Sequence, residues 1–389
     1  MNVLNLQQFV PQSAAPKSTA FVKPALFSFF AGAGFLDLGF EKMGFQTVFV
    51  NEFHRAFLDA YRFARLKMGI PTAMFGYLND DIRALLERDE AASLQKRVEA
   101  AKRSFGLVGF VGGPPCPDFS VGGKNRGRHG ENGVLSAVYS EIICEQQPDF
   151  FVFENVKGLW RTKIHRKFYE EIRAKFHEAG FATTERLINS IEYGAPQDRD
   201  RIILAGFRRK SFPKLEKAEA IDFPWLDHTK FERSVLESDM WPDRESFIPN
   251  QTKPAPPSVI TELSVQYWFD RNDVANHPNS GDCFEPRAAL PKFKTIDEGD
   301  DSKKCFKRLH RWRYSPTAAY GNNEVHLHPF RERRISVAEA LAIQSLPKEF
   351  VMPPNMTLTD KFKAIGNGVP FEAAKGIAAT VKAFLESVS

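Results

Sequence analysis

Only four cysteines occur in the 389 residues, at Cys116, Cys144, Cys283 and Cys305. They have neither the density of a disulfide scaffold nor the paired spacing of a metal site. This points to a reducing, cytoplasmic setting and to no bound metal. No run of ~20 apolar residues exists, so no membrane span is expected, and the N-terminus lacks the apolar core of a signal peptide. Neither sign of charge dominates: 53 Lys and Arg against 48 Asp and Glu leave a net charge of +5. Tyrosine (8) and tryptophan (5) are scarce beside 36 phenylalanines, most of which are expected in the core. Internal repeats and low-complexity tracts are missing, which excludes a solenoid.

The length suits two lobes, or one large lobe with an insert. Residues 1–24, with Pro11, Pro16 and Pro24, read as an N-terminal arm. The one strong charge asymmetry lies at 302–334, where Lys303, Lys304, Lys307, Arg308, Arg311, Arg313, Arg331, Arg333 and Arg334 outweigh Glu324 and Glu332. Such a patch suits a polyanion, or is simply a solvated basic face.

From Ala25 onward the pattern is regular. Short apolar runs at 26–30, 47–50, 105–111, 149–153, 182–188 and 202–207 read as strands, and amphipathic stretches between most of them read as helices. Alternating strands and helices imply an α/β fold with a mostly parallel sheet covered on both faces. Near Arg208 the rhythm gives way to a stretch rich in Pro and charge, read as a second, smaller, loop-rich lobe. Helices at 336–345 and 371–386 close the chain.

Ligands of open parallel sheets bind outside the carboxyl ends of the strands, and the chemically unusual residues fall there repeatedly. Gly32 and Gly34 follow the strand at 26–30, Glu52 ends the one at 47–50, and Asp81 follows a further candidate strand beyond the turn at Gly76. Gly112-Gly113-Pro114-Pro115-Cys116 follows the strand at 105–111, and Glu154-Asn155 the one at 149–153. The third glycine of a dinucleotide fingerprint is replaced by Asp37, so the pyrophosphate signature is incomplete. With Glu52 placed to bind ribose hydroxyls, the turn suits a nucleoside cofactor without a pyrophosphate, such as S-adenosylmethionine, although glycines serve tight strand–helix turns for structural reasons too. Cys116, on a loop stiffened by two prolines at the ligand edge, reads as a nucleophile. Lys124, Arg126, Arg128 and His129 in the following loop could promote its thiolate or bind phosphate. Glu154 is an acid at a strand end, which is costly unless it binds something or is solvated. In Gln197-Asp198-Arg199-Asp200-Arg201, period-2 alternation puts Gln197, Arg199 and Arg201 on one side, where arginines could hold a polar base or a phosphate. A surface ladder with Asp198 and Asp200 is the alternative.

In this order the residues resemble the C5-cytosine-specific DNA methyltransferase family of bacterial restriction-modification systems. The likeness covers about 25–207 and 325–372. Phe-Ala-Gly-Ala-Gly-Phe (30–35) is similar to the cofactor motif. Gly-Gly-Pro-Pro-Cys (112–116), with Phe119-Ser120 after it, resembles the catalytic loop, and Glu-Asn-Val (154–156) the acid motif. Gln-Asp-Arg-Asp-Arg (197–201) resembles the Q-x-R-x-R motif. Arg-Arg-Ile-Ser-Val-Ala-Glu-Ala (333–340), with Gln344 and Pro347, and Ile-Gly-Asn-Gly-Val-Pro (365–370) resemble the last two. The chain departs from the pattern at Pro117, where the family usually has Gln, at Phe35 and at Ala338.

The resemblance implies a Rossmann-like S-adenosylmethionine-dependent methyltransferase fold. A discontinuous catalytic domain is expected over 25–207 and 358–389, with a target-recognition domain over 208–357. Phe30, Gly32, Gly34, Glu52, Asp81, Ile82, Pro114, Asn367 and Val369 would bind the cofactor. Cys116, Glu154, Arg199 and Arg201 would be catalytic, and Ser120, Lys124, Arg126, Arg128 and Gln197 would meet double-stranded DNA. In the implied mechanism the Cys116 thiolate adds to C6 of a flipped-out cytosine, Glu154 acts at N3, and Arg201 with Arg199 stabilises the O2 side. A monomer in the bacterial cytoplasm, associated with the nucleoid and with a restriction endonuclease acting separately, completes the expectation. Rival readings are a tRNA methyltransferase of the same superfamily, a non-catalytic DNA-binding relative and a nicotinamide-dependent oxidoreductase. The first lacks its Cys-Phe-Thr tripeptide, the nearest stretch being Cys283-Phe284-Glu285. The second would have lost Cys116 or Glu154, and Asp37 argues against the third.

Overall fold

The computed structural model describes residues 23–115, 131–161, 163–216, 221–303, 305–320 and 324–389. Strand β1 (Ala25–Phe29) is buried along its whole length, as a central strand covered on both faces must be. Its side chains alternate. Phe27 and Phe29 join one core cluster, and Leu26 joins another on the opposite face. The chain continues through α1 (Phe35–Lys42), β2 (Gln46–Asn51), α2 (Arg55–Lys67), β3 (Tyr77–Leu78), α3 (Arg88–Phe105), β4 (Val108–Gly112), α4 (Glu131–Gln146) and β5 (Phe150–Val156). Then come α5 (Lys157–Arg161), α6 (Lys163–Glu178), β6 (Phe181–Asn189) and β7 (Asp200–Arg208). The sheet order is β3-β2-β1-β4-β5-β7-β6, so the winding reverses between β1 and β4 and opens a crevice at their carboxyl ends.

The expected alternation fails once. β7 pairs antiparallel with both β5 and β6. Only a short turn at Ser190–Tyr193 and a loop join β6 to β7, whereas a parallel return needs a crossover of about a dozen residues or more. Two boundaries also move. Residue 105 ends α3, so the fourth strand begins at Val108, and β5 runs on to Val156, so Glu154 and Asn155 lie within it.

One face of the sheet packs on α3, α4 and α6, the other on α1 and the C-terminal helix. Phenylalanines dominate the contacts, as in the Phe27–Phe49, Phe29–Phe110 and Phe151–Phe176 pairs. Beyond β7 regular structure is sparse: α7 (Val265–Arg271), α8 (Leu290–Phe293) and the two-residue strands β8 (Lys307–Arg308) and β9 (His326–Leu327). α9 (Val337–Ile343), α10 (Leu358–Asn367) and α11 (Phe371–Val388) then return to the sheet. A third core cluster joins Phe35, Leu38, Phe57 and Ala60 of α1 and α2 to Val265, Trp268, Leu341, Phe350 and Phe362. No helix among the described residues is long and apolar enough to cross a membrane.

The basic stretch 302–334 is partly internal: Arg308 and Arg311 are buried, Lys307, Arg313, Arg333 and Arg334 half-buried, and Lys303 and Arg331 exposed. Arg308 is buried, donates to the carbonyls of Ile296, His328, Arg331 and Phe293, and lies 3.6 Å above the Phe247 ring. Arg311 pairs with buried Glu298 at 2.8 Å, Arg333 with Glu339 at 2.6 Å and Lys307 with Glu324 at 3.3 Å. In a lobe poor in regular structure, loop carbonyls have no ladder partners and buried donors must satisfy them. Of the same stretch, Lys304 lies outside the described residues.

Candidate active site

A cleft of about 1000 Å³ opens at the carboxyl edge of the sheet. Its first half is built on β1, β2 and β4. Phe30, with a left-handed φ of 52°, leads into the glycine turn, a conformation a bulky side chain adopts only when its surroundings impose it. Gly32 faces the cleft and its N–H donates to Glu52 Oε2 at 2.8 Å, while Glu52 Oε1 accepts from His54 N at 2.7 Å. Burial pushes the Glu52 carboxyl up, against the pull of those backbone donors. A buried carboxylate with lone pairs to spare is what vicinal hydroxyls require.

Asp81 and Ile82 line the same half. Asp81 caps the short 3₁₀ turn Ile82–Leu86 by accepting from Arg83 N at 2.9 Å. Its carboxyl lies below the usual range because Arg83 holds it at 2.6 Å. Pro114, Asn367 and Val369 complete this wall. Gly34, grouped with the cofactor residues from sequence, does not line the cleft. It stands behind the turn with φ 82°, and its carbonyl accepts from Arg65 Nη2 at 2.7 Å.

The second half is built on β5 and β7. Because β7 runs antiparallel, its first residues reach the edge where the parallel strands end. That explains why Asp198–Arg201 precedes its strand while the other chemical residues follow theirs. The register sets Arg201 opposite Val156, diagonal to Glu154, within reach of a long side chain. Arg201 Nε lies 2.7 Å from Glu154 Oε1, with the two side chains only 13% and 11% exposed. This is the strong, charge-assisted kind of contact, and it fixes the orientation of the carboxylate. Gly113 passes close on the other side: a Cβ there would lie 2.5 Å from Glu154 Oε2.

Arg199 and Gln197 precede the strand, which begins at Asp200, so the pleat does not extend back to them. Arg199 is 1% exposed, and although it borders the cleft its guanidinium donates to Ala318 O at 3.1 Å and Gly366 O at 2.8 Å. Burial, then the neighbouring Arg201, lowers its pKa far below the ordinary arginine value. Gln197 is fully buried, donating to Gln344 Oε1 at 3.2 Å and accepting from Ala318 N at 3.1 Å. It is therefore not placed to touch DNA. Both residues tie the loop-rich stretch after β7 to the start of β7, and Arg199 reaches α10 as well. Asp200 pairs with Lys157 and with Arg233 of that stretch.

Cys116, Ser120, Lys124, Arg126 and Arg128 lie outside the described residues, which stop at Pro115 and resume at Glu131. Sequence reasoning passed over Phe53, Thr317, Tyr320 and Lys363, all of which line the cleft. Phe53 is 70% exposed, and an aromatic directly after a strand-end acid was a usable signal. Thr317 and Tyr320 come from an aperiodic stretch that carries none.

The family model described as C-5 cytosine-specific DNA methylase matches residues 25–383. The Type II methyltransferase M.NmeDI of Neisseria meningitidis serogroup C is 56% identical over 365 residues, covering 94% of this chain and 85% of that one. M.FnuDI of Fusobacterium nucleatum is 28% identical over 367 residues, covering 92% and 94%. Among solved structures, one described as a candidate DNA modification methyltransferase encoded within an E. coli prophage aligns with a TM-score of 0.64 at 18% identity, covering 94% of this chain and all (100%) of the other. The S. pombe Dnmt2 methyltransferase aligns with a TM-score of 0.58 at 12% identity, covering 94% and 100%. At such identities the solved structures speak for the fold alone.

Proposed function

The chain belongs to the C-5 cytosine-specific DNA methylase family, and from that premise we propose that it methylates C5 of a cytosine flipped out of a specific duplex sequence, using S-adenosylmethionine. The observation that carries the reading is the Glu154–Arg201 pair at 2.7 Å, sharing one cleft with the Gly32–Glu52 turn and with the prolines that lead to Cys116. S-adenosylmethionine supplies an electrophilic methyl group when bound. The residues present suit it: Glu52 would accept from the ribose hydroxyls, and exposed Phe53 and half-buried Phe30 offer aromatic faces to an adenine.

Cytosine C5 is a poor nucleophile. Addition of the Cys116 thiolate to C6 forms a C–S bond and moves the ring's electron pair toward C5 and N3. Glu154 donates a proton or a hydrogen bond to N3 and makes that shift easier, while Arg201 stabilises negative charge developing on the O2 side. C5 then takes the methyl group. Loss of the C5 proton returns the electron pair to the ring and expels Cys116. The target atoms are inaccessible in a duplex, so the base must leave the stack. Ser120, Lys124, Arg126 and Arg128 are the proposed contacts to the DNA backbone. We assign 25–207 and 358–389 to catalysis and 208–357 to target recognition. The enzyme would work as a monomer on the nucleoid of a bacterial cytoplasm, as the modification half of a restriction-modification pair.

The test is methyl transfer from labelled S-adenosylmethionine to unmethylated duplex DNA, with wild type and Cys116→Ser side by side and tRNA as a parallel substrate. Labelling of DNA at cytosine C5 by wild type alone is expected. Labelling of tRNA only, or equal labelling by both proteins, would remove the proposed substrate or nucleophile.

A further inference from the structure

Behind the glycine turn, on the side away from the cleft, five side chains form a buried polar knot. Asp37 and Glu41 come from one face of α1, and Tyr61 and Arg65 from one face of α2; spacing of four residues sets each pair together. Ser28 joins from β1, donating to Asp37 Oδ1 at 2.9 Å. Arg65 is the centre of the knot and only 2% exposed. Its Nη2 donates to Gly34 O at 2.7 Å, its Nε lies 2.9 Å from Glu41 Oε2, and its guanidinium carbon lies 4.3 Å from the centre of the Tyr61 ring.

The fit against the turn is close. A Cβ at Gly34 would lie 2.5 Å from the Tyr61 ring and 2.8 Å from Arg65 Nη2. The Gly34 carbonyl also accepts the first helical bond of α1, from Leu38 N at 3.0 Å. Two residues earlier, the Gly32 N–H is held by Glu52 from the cleft side. The turn is thus clamped from opposite sides, by an acid facing the ligand and by an arginine facing the core.

Burying a guanidinium in a helix interface is expensive, and an apolar side chain of the same length would fill the space at less cost. What only the arginine can do is hold a carbonyl and a carboxylate at once, in the fixed planes of its fork. We propose that Arg65 is a positioning residue for cofactor binding: by fixing the Gly34 carbonyl it fixes the peptide planes of the turn that Gly32 and Ala33 present to an adenosyl cofactor. Glu41 holds the guanidinium in place and Tyr61 spaces it from the turn. The inference rests on reading the 30–34 turn as the cofactor site.

Cofactor dissociation by calorimetry, steady-state kinetics on DNA and thermal melting of the full chain test it, for wild type, Arg65→Met, Arg65→Lys and Glu41→Gln. Arg65→Met raises the dissociation constant and the KM for S-adenosylmethionine roughly tenfold, the effect of one lost hydrogen bond to a buried carbonyl. It leaves kcat at saturating cofactor and the KM for DNA unchanged. Arg65→Lys recovers part of the affinity, since an ammonium can serve Gly34 or Glu41 but not both in the same geometry. A purely structural arginine would lower the melting temperature of Arg65→Met while leaving cofactor affinity at the wild-type value, and that result overturns the proposal. If Arg65→Met does not fold, Glu41→Gln decides: weaker cofactor binding in the same direction is expected, and wild-type binding overturns it. If wild type itself binds no S-adenosylmethionine, the reading of the turn has failed and the proposal falls with it.

Discussion

Asp37 stands where a dinucleotide fingerprint would have its third glycine, and the structure turns that substitution into a titration. Burial pushes its carboxyl up to about 6, with Glu41 adding to the rise and Arg65 and the Ser28 hydroxyl opposing it. Tyr61 from α2 and Tyr139 from α4 also face it, both with pKa values driven upward chiefly by burial. A carboxyl raised in the folded state holds its proton more tightly there than in the unfolded chain. Its contribution to stability is therefore complete below the unfolded value and is lost as pH rises through about 6. That rise corresponds to about 3 kcal/mol at pH 8. Asp37→Asn removes the ionisation, so it should raise the melting temperature at pH 8 and change it little at pH 4. Denaturant melts at the two values check this, and a variant equally destabilised at both would contradict it. The sequence marks Asp37 only as a missing glycine; its burial depends on α2 lying across α1.

At the scale of elements, the Glu154–Arg201 pair rests on two antiparallel strands and a glycine. Antiparallel pairing of β5 with β7 sets Arg201 diagonal to Glu154, and Gly113 leaves the carboxylate its space. Gly113→Ala places a methyl group 2.5 Å from Glu154 Oε2, so the carboxylate must move. A misplacement of that order costs about a hundredfold in rate. The expected outcome is a fall in kcat of about that size, with thermal stability near wild type and cofactor affinity retained. A fully active Gly113→Ala enzyme would mean that Glu154 does not need the position it holds. The Glu154-Asn155 pair and the Gly-Gly-Pro-Pro run were legible in sequence because they interrupt apolar strands with residues a core does not accept. The roles of Gln197 and Arg199 were not. A motif that precedes a strand reads as pleated by alternation, and only the fold shows that the strand starts later and that both side chains turn into the joint between the lobes.

Over the whole molecule, the last two helices belong to the first lobe. α11 is buried along most of its length against α1 and the sheet, with Ala374 so close to α1 that a Cβ at Gly39 would lie 2.5 Å from it. Truncation after residue 357 would strip one face of the sheet and should abolish cooperative unfolding, as read by calorimetry of the purified fragment. A fragment 1–357 that melts cooperatively near the full-length temperature would refute the discontinuous assignment. The loop-rich stretch between β7 and α9 follows different physics. With few regular elements, it satisfies its loop carbonyls through Arg308 and pairs Arg311 with Glu298 inside, so a charge count over 302–334 overstates what is offered to a polyanion.

Residue order alone determined most of the strand and helix rhythm over 25–207, the placing of Gly32, Glu52, Asp81 and Pro114 beyond strand ends, and the family to which the ordered motifs belong. These are local properties: apolar runs, turn residues and spacing along one chain. The tertiary structure decided which of the marked residues meet. It paired Glu154 with Arg201, set Gly34 behind the cleft wall, and engaged Arg199 and Gln197 with carbonyl and amide partners far along the chain. It also buried Arg308 and Arg311 and brought Arg65 under the glycine turn. Those outcomes depend on distances between segments far apart in sequence, set by the sense of β7 and the packing of α1 on α2, and no pattern within a single segment encodes them.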